Sequence, residues 1–187
     1  MIFAGLLGAT IALLGFGWLI GGDVYSLPWL WGSIGERQTA EALASLGDSW
    51  ACEHDLPRER GNWDHVLAGP PGIFLLDTKR LTQRAVAADD ALLAGRLRNE
   101  GGGFRAAAAS LGEKLEPMCG RRPWVQAVVV IWGEFPQRRH EENRVTYVHG
   151  DELLGWLNEQ PTRLNATFVR TVAAAFRELR NDRPAPK

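Results

Sequence analysis

Residues 63–79 read WDHVLAGPPGIFLLDTK. Two apolar runs, Trp63 to Ala68 and Gly72 to Lys79, flank Gly69-Pro70-Pro71, the punctuation of a tight connection between two strands. With a period of two, Ile73, Leu75, Asp77 and Lys79 share one face of the second strand, and Phe74, Leu76 and Thr78 share the other. In the first strand Asp64, Val66 and Ala68 share a face. Two carboxylates and an ammonium thus continue faces that otherwise read as core. An unpaired carboxylate is costly to bury, so such groups are normally ion-paired or bound to a metal.

Working outward, Ser33-Ile34-Gly35-Glu36 has the form of a capping box, and a helix is expected from about Ile34 to Leu46. Glu36, Ala40 and Leu43 then form its inward stripe at i, i+4 and i+7. Trp50 to Leu56 reads as a strand, and Pro57 to Gly61 as a charged turn. Ala85 to Ala94 fits a small hairpin centred on Asp89-Asp90. Gly101 to Gly103 open an Ala-rich helix, about Phe104 to Leu115, which Pro117 stops. Trp124 to Trp132 is apolar on both faces, the pattern of an interior strand covered on each side. Val145 to Val148 is a short strand, Asp151 caps a helix to about Glu159, and Asn165 caps a last helix to about Leu179. This order predicts an α/β sandwich around a mixed central β-sheet flanked by helices.

The chain has 187 residues, net charge −1, two Cys and eight Trp. Near-neutrality excludes a histone-like, strongly basic binder of nucleic acid. Cys52 and Cys119 have neither disulfide-scaffold density nor the spacing of zinc ligands. A mean hydropathy of −0.16 conceals an uneven distribution, since no side chain from Met1 to Gly22 is charged. As a helix, that segment is about 33 Å long at about 1.5 Å per residue, enough for a bilayer core. A cleaved signal peptide is the rival reading, but no Lys or Arg precedes the apolar run. Trp18, Trp29 and Trp31 stand where headgroup-layer aromatics are favoured, and Arg37, Arg58 and Arg60 on the C side favour a cytoplasmic domain. The expected organisation is a transmembrane anchor at 1–22, a juxtamembrane linker at 23–32, one α/β domain at 33–180 and a disordered tail at 181–187.

Each acid has a plainer alternative. Glu36 can be only the capping-box partner, Asp64 only a strand-start acceptor, and Asp77 with Lys79 only a solvated ion pair. Together they suggest more. Magnesium is usually held by one or two carboxylates plus water and substrate phosphates. Phosphodiester hydrolysis needs such a metal to polarise phosphate and activate water, with an ammonium to offset charge. Glu36, Asp64 and Asp77-x-Lys79 supply those parts.

Gly35-Glu36, Asp64-His65-Val66, the Gly-Pro-Pro-Gly connection at 69–72 and Ile73-Phe74-Leu75-Leu76-Asp77-Thr78-Lys79 resemble, in that order, the PD-(D/E)xK nuclease superfamily, and more specifically its nuclease-related domain, NERD. The resemblance is strongest over 33–80 and continues more weakly through 124–132 and 150–157. It implies a restriction-endonuclease-like core and Mg2+ (or Mn2+) held by Asp64 and Asp77. It makes the Thr78 carbonyl a candidate third ligand, Glu36 an accessory ligand, and Lys79 the partner of the catalytic base or a stabiliser of charge. Asp77 stands where this family more often has Glu, and Arg80-Leu81 replace the polar or aromatic residues expected next.

Other residues carry less. His65 lies on the face opposite Asp64 and reads as a packing residue, and His54, His140 and His149 lack ligand spacing. Gln126 either reaches substrate or satisfies a nearby backbone group. Gly101–Gly103 lack the Lys-Ser/Thr of a phosphate loop and read as a hinge. Arg121-Arg122 and Arg138-Arg139 flank the interior strand and are candidates for contacting a phosphate backbone, with solvated loop ends as the alternative. The leading expectation is a membrane-anchored, magnesium-dependent nuclease-like protein acting on DNA or RNA. Its rivals are a catalytically inactive scaffold that binds nucleic acid or a protein partner at the membrane, and a membrane-associated interaction domain whose carboxylates are structural.

Overall fold

The computed structural model describes residues 27–59 and 61–181. The expected anchor at 1–22 lies outside the described residues, as do residues 23–26 of the expected linker and 182–187 of the tail. Among the described residues no helix is long and apolar enough to cross a membrane.

Gly69-Pro70-Pro71-Gly72 forms the expected tight connection. Strand β2 (Asn62–Gly69) runs antiparallel to β3 (Gly72–Arg80), with Gly69 opposite Gly72 and His65 opposite Leu76. β1 (Ala51–Pro57) pairs antiparallel with the outer side of β2. On the other side β3 meets β7 (Val125–Trp132) in parallel, followed by β9 (Val145–His149), also parallel, and β8 (Arg139–Glu142), antiparallel. The six strands form one mixed sheet in the order β1-β2-β3-β7-β9-β8. The expected α/β architecture is therefore present.

Alternation along the strands sorts side chains onto two cores. Val66, Ala68, Ile73, Leu75, Val129 and Ile131 face one layer. There α2 (Gly101–Cys119) contributes Leu111 and Leu115, and α4 (Ala166–Asn181) contributes Val172 and Phe176. Leu67, Phe74, Leu76, Val128 and Val130 face the opposite layer, against Leu43 of α1 (Leu27–Leu43) and Leu153 and Leu157 of α3 (Leu153–Glu159). β7 contributes to both cores, which is why its sequence shows no polar face. Asn165 caps α4 as expected, its Oδ1 accepting from Phe168 N at 2.8 Å.

Several local expectations are corrected. α1 starts at Leu27, so residues 27–32 are helical rather than linker, and Ser33 lies inside the helix, where it cannot be an N-cap. The buried stripe of α1 is Gly35, Thr39 and Leu43, not Glu36, Ala40 and Leu43. Gly35 permits this: a Cβ there would lie 3.0 Å from Arg80 Cβ and 3.2 Å from Thr78 Cγ2, so the missing side chain lets α1 settle onto β3. Gly101–Gly103 form the first turn of α2 rather than a hinge. Gly101 N donates to Asp90 O at 2.6 Å, and a Cβ at Gly101 would collide with Asp90. Pro117 is accommodated in the last turn of α2, which ends at Gly120 in the left-handed region, φ 71°. His149 rather than Asp151 caps the 3-10 turn before α3. Its Nδ1 accepts from Asp151 N, while its Nε2 meets Gly133 O at 3.0 Å.

The hairpin at 85–94 is present as β4 (Ala85–Ala88) and β5 (Ala91–Ala94), turning on Asp89 and Asp90 at φ 52° and 55°. That double left-handed turn matches the twist of paired strands. β6 (Leu97–Glu100) extends it to a separate three-stranded sheet within the β3-to-β7 crossover. Arg105 of α2 ties it down, holding the Asp90 carboxylate with two nitrogens at 2.6 and 2.7 Å.

Candidate functional site

The β2–β3 register runs from Gly69–Gly72 to His65–Leu76, and the next pair in sequence is Asp64 opposite Asp77. Here the ladder gives way to a side chain, because Thr78 N donates to Asp64 Oδ2 at 2.8 Å. Across the other edge of β2, His54 pairs with His65 and Leu56 with Trp63, so the position opposite Asp64 is Asp55. Asp55 adopts φ 52°, outside the β region. The kink coincides with a change of face: Leu56 and Trp63 turn into the core behind Asp64, although alternation from His54 and His65 would put them on the other side. By register Asp55, Asp64 and Asp77 occupy successive positions across three adjacent strands, with the Asp55 backbone turned out of the ladder.

Lys79, two residues beyond Asp77 on the same face, makes an ion pair with Asp77 Oδ1. Asp77 Oδ1 is buried and has no hydrogen-bond partner apart from that ion-pair contact. Asp64 is held mostly away from water. Burial, followed by the neighbouring Asp77 carboxylate, pushes its pKa up to about 6, against the Thr78 amide and Lys79, which pull it down. Glu36 is half-buried on the flank of α1. Burial raises its pKa first and Asp55 second, Lys79 opposes the rise, and Asp77 adds to it. Glu36, Asp55, Asp64 and Asp77 therefore share one electrostatic neighbourhood with a single Lys.

The geometry sorts the expected site residues. Asp64, Asp77 and Lys79 come together at one corner of the sheet. Glu36 feels their charges but does not converge with them: among the described residues no three His, Cys, Asp or Glu side chains are grouped closely enough to hold a metal ion. Two carboxylates that repel one another remain, beside a cavity of about 40 Å³ that Asp64 and Asp77 line with Arg58, Trp63 and Phe104. That volume exceeds the one-probe space a single water needs. Magnesium sites commonly use one or two protein carboxylates, so Asp64 and Asp77 are a donor set of the right chemistry. Arg58 and Asp55 were absent from the sequence-based candidates. Asp55 could have been found by carrying the strand pairing one position further, whereas Arg58 looked like an ordinary turn residue.

The basic pairs diverge in role. Arg138 meets Glu152 at 3.1 Å, and Arg139 meets Glu152 at 2.9 Å and Glu159 at 2.5 Å, so both are held by acids of the same chain. Arg122 pairs with Glu113 at 2.9 Å. Arg121 instead lies over the Phe168 ring, 4.8 Å from its centroid. Gln126 satisfies local groups, donating to Arg144 O at 3.1 Å and Thr146 Oγ1 at 3.3 Å. His65 is buried, as its face required, with Nδ1 2.7 Å from His54 Nδ1, and burial lowers its pKa to about 3.

The family model for the nuclease-related domain (NERD) matches residues 31–132, which take in most of α1, all of β1–β7 and α2, and every member of the acidic corner. No curated protein and no solved structure matches the chain.

Proposed function

Because the chain belongs to the nuclease-related domain family, we propose that it hydrolyses phosphodiester bonds of DNA or RNA with a divalent cation at Asp64 and Asp77. The observation that carries this reading is the cross-strand alignment of those two acids beside a cavity, with Lys79 on the same face. Two adjacent carboxylates oppose one another's ionisation, and a divalent cation held by Asp64 and Asp77 would offset that opposition. When bound, Mg2+ or Mn2+ polarises the phosphate and activates a water. The chain's own residues do the rest. The Thr78 amide fixes one oxygen of Asp64, which sets the carboxyl plane. Lys79 offsets charge at Asp77 and, in this reading, steadies a water or the phosphate. Arg58, on the cavity rim, supplies a cation to a non-bridging phosphate oxygen. Glu36 and Asp55 add negative potential that draws a cation toward the corner. Water adds to phosphorus, one P–O ester bond breaks, and the products are a phosphate monoester and a hydroxyl end.

Residues 1–22 would anchor this domain in a membrane with the domain on the cytoplasmic side, in keeping with their charge-free composition and the Arg residues that follow. A second reading is a domain that binds nucleic acid without cleaving it. It is favoured by Glu36 standing apart from the two aspartates among the described residues.

The deciding experiment incubates the full-length protein with single-stranded, duplex and branched DNA and with RNA, in Mg2+ and in Mn2+. Cleavage is expected from the wild type and is expected to fall at least a hundredfold in Asp77→Asn. Inactivity of the wild type on every substrate with both metals would sink the enzyme reading, as would equal rates for wild type and variant.

A further inference from the structure

A second site lies at the opposite end of the sheet. β3 advances about 3.3 Å per residue, which puts Ile73 roughly 13 Å along the strand from Asp77. At that end a cavity of about 430 Å³ opens between the start of β3, the segment leading into β7, and the loop before α4. Its size falls in the usual range for small-molecule pockets, about 300–1,000 Å³.

Its lining combines flat aromatic faces with positive charge. Trp124 is 58% exposed, the most exposed large hydrophobic side chain among the described residues, with Arg144 over its ring at 5.6 Å, while Phe168 and the buried Trp156 complete the aromatic lining. Three arginines line the cavity against one carboxylate, that of Glu141. Arg122 is already engaged by Glu113, whereas Arg121 and Arg163 have no carboxylate partner among the described residues. The positions are set by the fold: the amide nitrogens of Arg163 and Leu164 donate to Pro70 O at 2.8 and 2.9 Å, which pins the loop before α4 to the β2–β3 turn. The Phe168 ring under Arg121 holds that guanidinium at the cavity.

Uncompensated guanidinium groups beside an exposed aromatic ring in one concavity are the recognition chemistry of a planar ring joined to a phosphate. We propose that this cavity binds a nucleoside phosphate, its base stacked on Trp124 and its phosphate held by Arg121 and Arg163. The assignment rests on the cavity alone and does not depend on hydrolysis at Asp77.

The test is calorimetric titration of the full-length protein with adenosine 5′-monophosphate, adenosine and inorganic phosphate. The monophosphate is expected to bind at least tenfold more tightly than either fragment. The double variant Arg121→Ala/Arg163→Ala is expected to lose at least tenfold, and Trp124→Ala to weaken binding with an unchanged thermal midpoint. Asp77→Asn is expected to bind the monophosphate as the wild type does. A 5′-phosphorylated tetranucleotide distinguishes the source: competition with the monophosphate assigns the cavity to strand ends, and failure to compete assigns it to free nucleotides. Monophosphate binding no tighter than that of phosphate would overturn the proposal, as would full binding by the double-arginine variant. Cleavage without monophosphate binding would remove this site and leave the proposed nuclease intact, and binding without cleavage would do the reverse.

Discussion

The backbone amide of Thr78 donates to Oδ2 of Asp64 at 2.8 Å, so a carboxylate takes the place that a strand carbonyl would otherwise fill. Removing the acceptor strands an amide at the end of the ladder, at a cost of about 1–3 kcal/mol. Asp64→Ala is therefore expected to lower the unfolding free energy by that amount in urea titrations, while Asp64→Asn, which keeps an oxygen acceptor, is expected to lose less than half as much. Equal losses would show that the hydrogen bond is not what holds β2 and β3 together there.

Thr39 is fully buried in α1, and its Oγ1 accepts from Thr78 Oγ1 at 3.0 Å and from Trp132 Nε1 at 2.8 Å. One hydroxyl thus serves two donors from neighbouring strands. Thr39→Val preserves shape but leaves both donors unsatisfied, and is expected to destabilise the protein by about 1–3 kcal/mol. Thr39→Ser retains the oxygen and is expected to recover most of that loss in the same thermal melts.

Gly35 sits where α1 touches Thr78 and Arg80. A methyl there would gain helix propensity of up to about 1 kcal/mol and meet a tight contact, so two opposed effects nearly cancel in alanine. A branched side chain cannot be absorbed in the same way. Gly35→Val is expected to cost about 1–3 kcal/mol through overpacking, measured by chemical denaturation.

Burial pushes the Cys52 thiol up to about 12, and Glu53 adds to the rise. Because folding favours the neutral thiol, its contribution to stability is complete below the unfolded pKa of about 8.5 and is lost as pH rises from there toward 12. In the native protein the alkylation rate of Cys52 is expected to keep climbing about tenfold per pH unit between pH 8 and pH 11. In guanidinium the same thiol should level off near pH 9. A native rate that plateaus at the same pH as the unfolded one would contradict this.

Much of the architecture was legible because the residues at 64–79 obey a period of two on both sides of a glycine-proline turn. Val66, Ala68, Ile73 and Leu75 do face one core, and Leu67, Phe74 and Leu76 the other. Asp64, Asp77 and Lys79 were found for the same reason, as charges continuing apolar faces. The face of α1 was misread because its contact stripe is made of Gly35 and Thr39, which a hydrophobic pattern does not register. Its start was misplaced because a capping-box pattern recurs within helices, where it caps nothing. β8 escaped because Arg139-His140-Glu141-Glu142 looks like loop, and only an edge position on the sheet tolerates such a strand. Asp55 and Arg163 depend on pairing and on a loop docked to Pro70, relationships that no local window contains.

The connection between β2 and β3 is two residues long, Pro70 and Pro71, whereas β3 reaches its parallel partner β7 only after residues 81–124 have been laid down as a small sheet and a helix. Closing a short loop costs less chain entropy than closing a long one, and distant parallel pairings form late. The hairpin carrying Asp64 and Asp77 is therefore expected to lead in the order of folding, with β7, β9 and the flanking helices docking onto it. Substitutions within the hairpin should slow refolding, while equally destabilising ones in α4 should mainly speed unfolding. The acidic corner then belongs to the part of the chain that takes shape first, and the aromatic cavity at the other end, built from the β7 approach and the loop before α4, to the part that closes last.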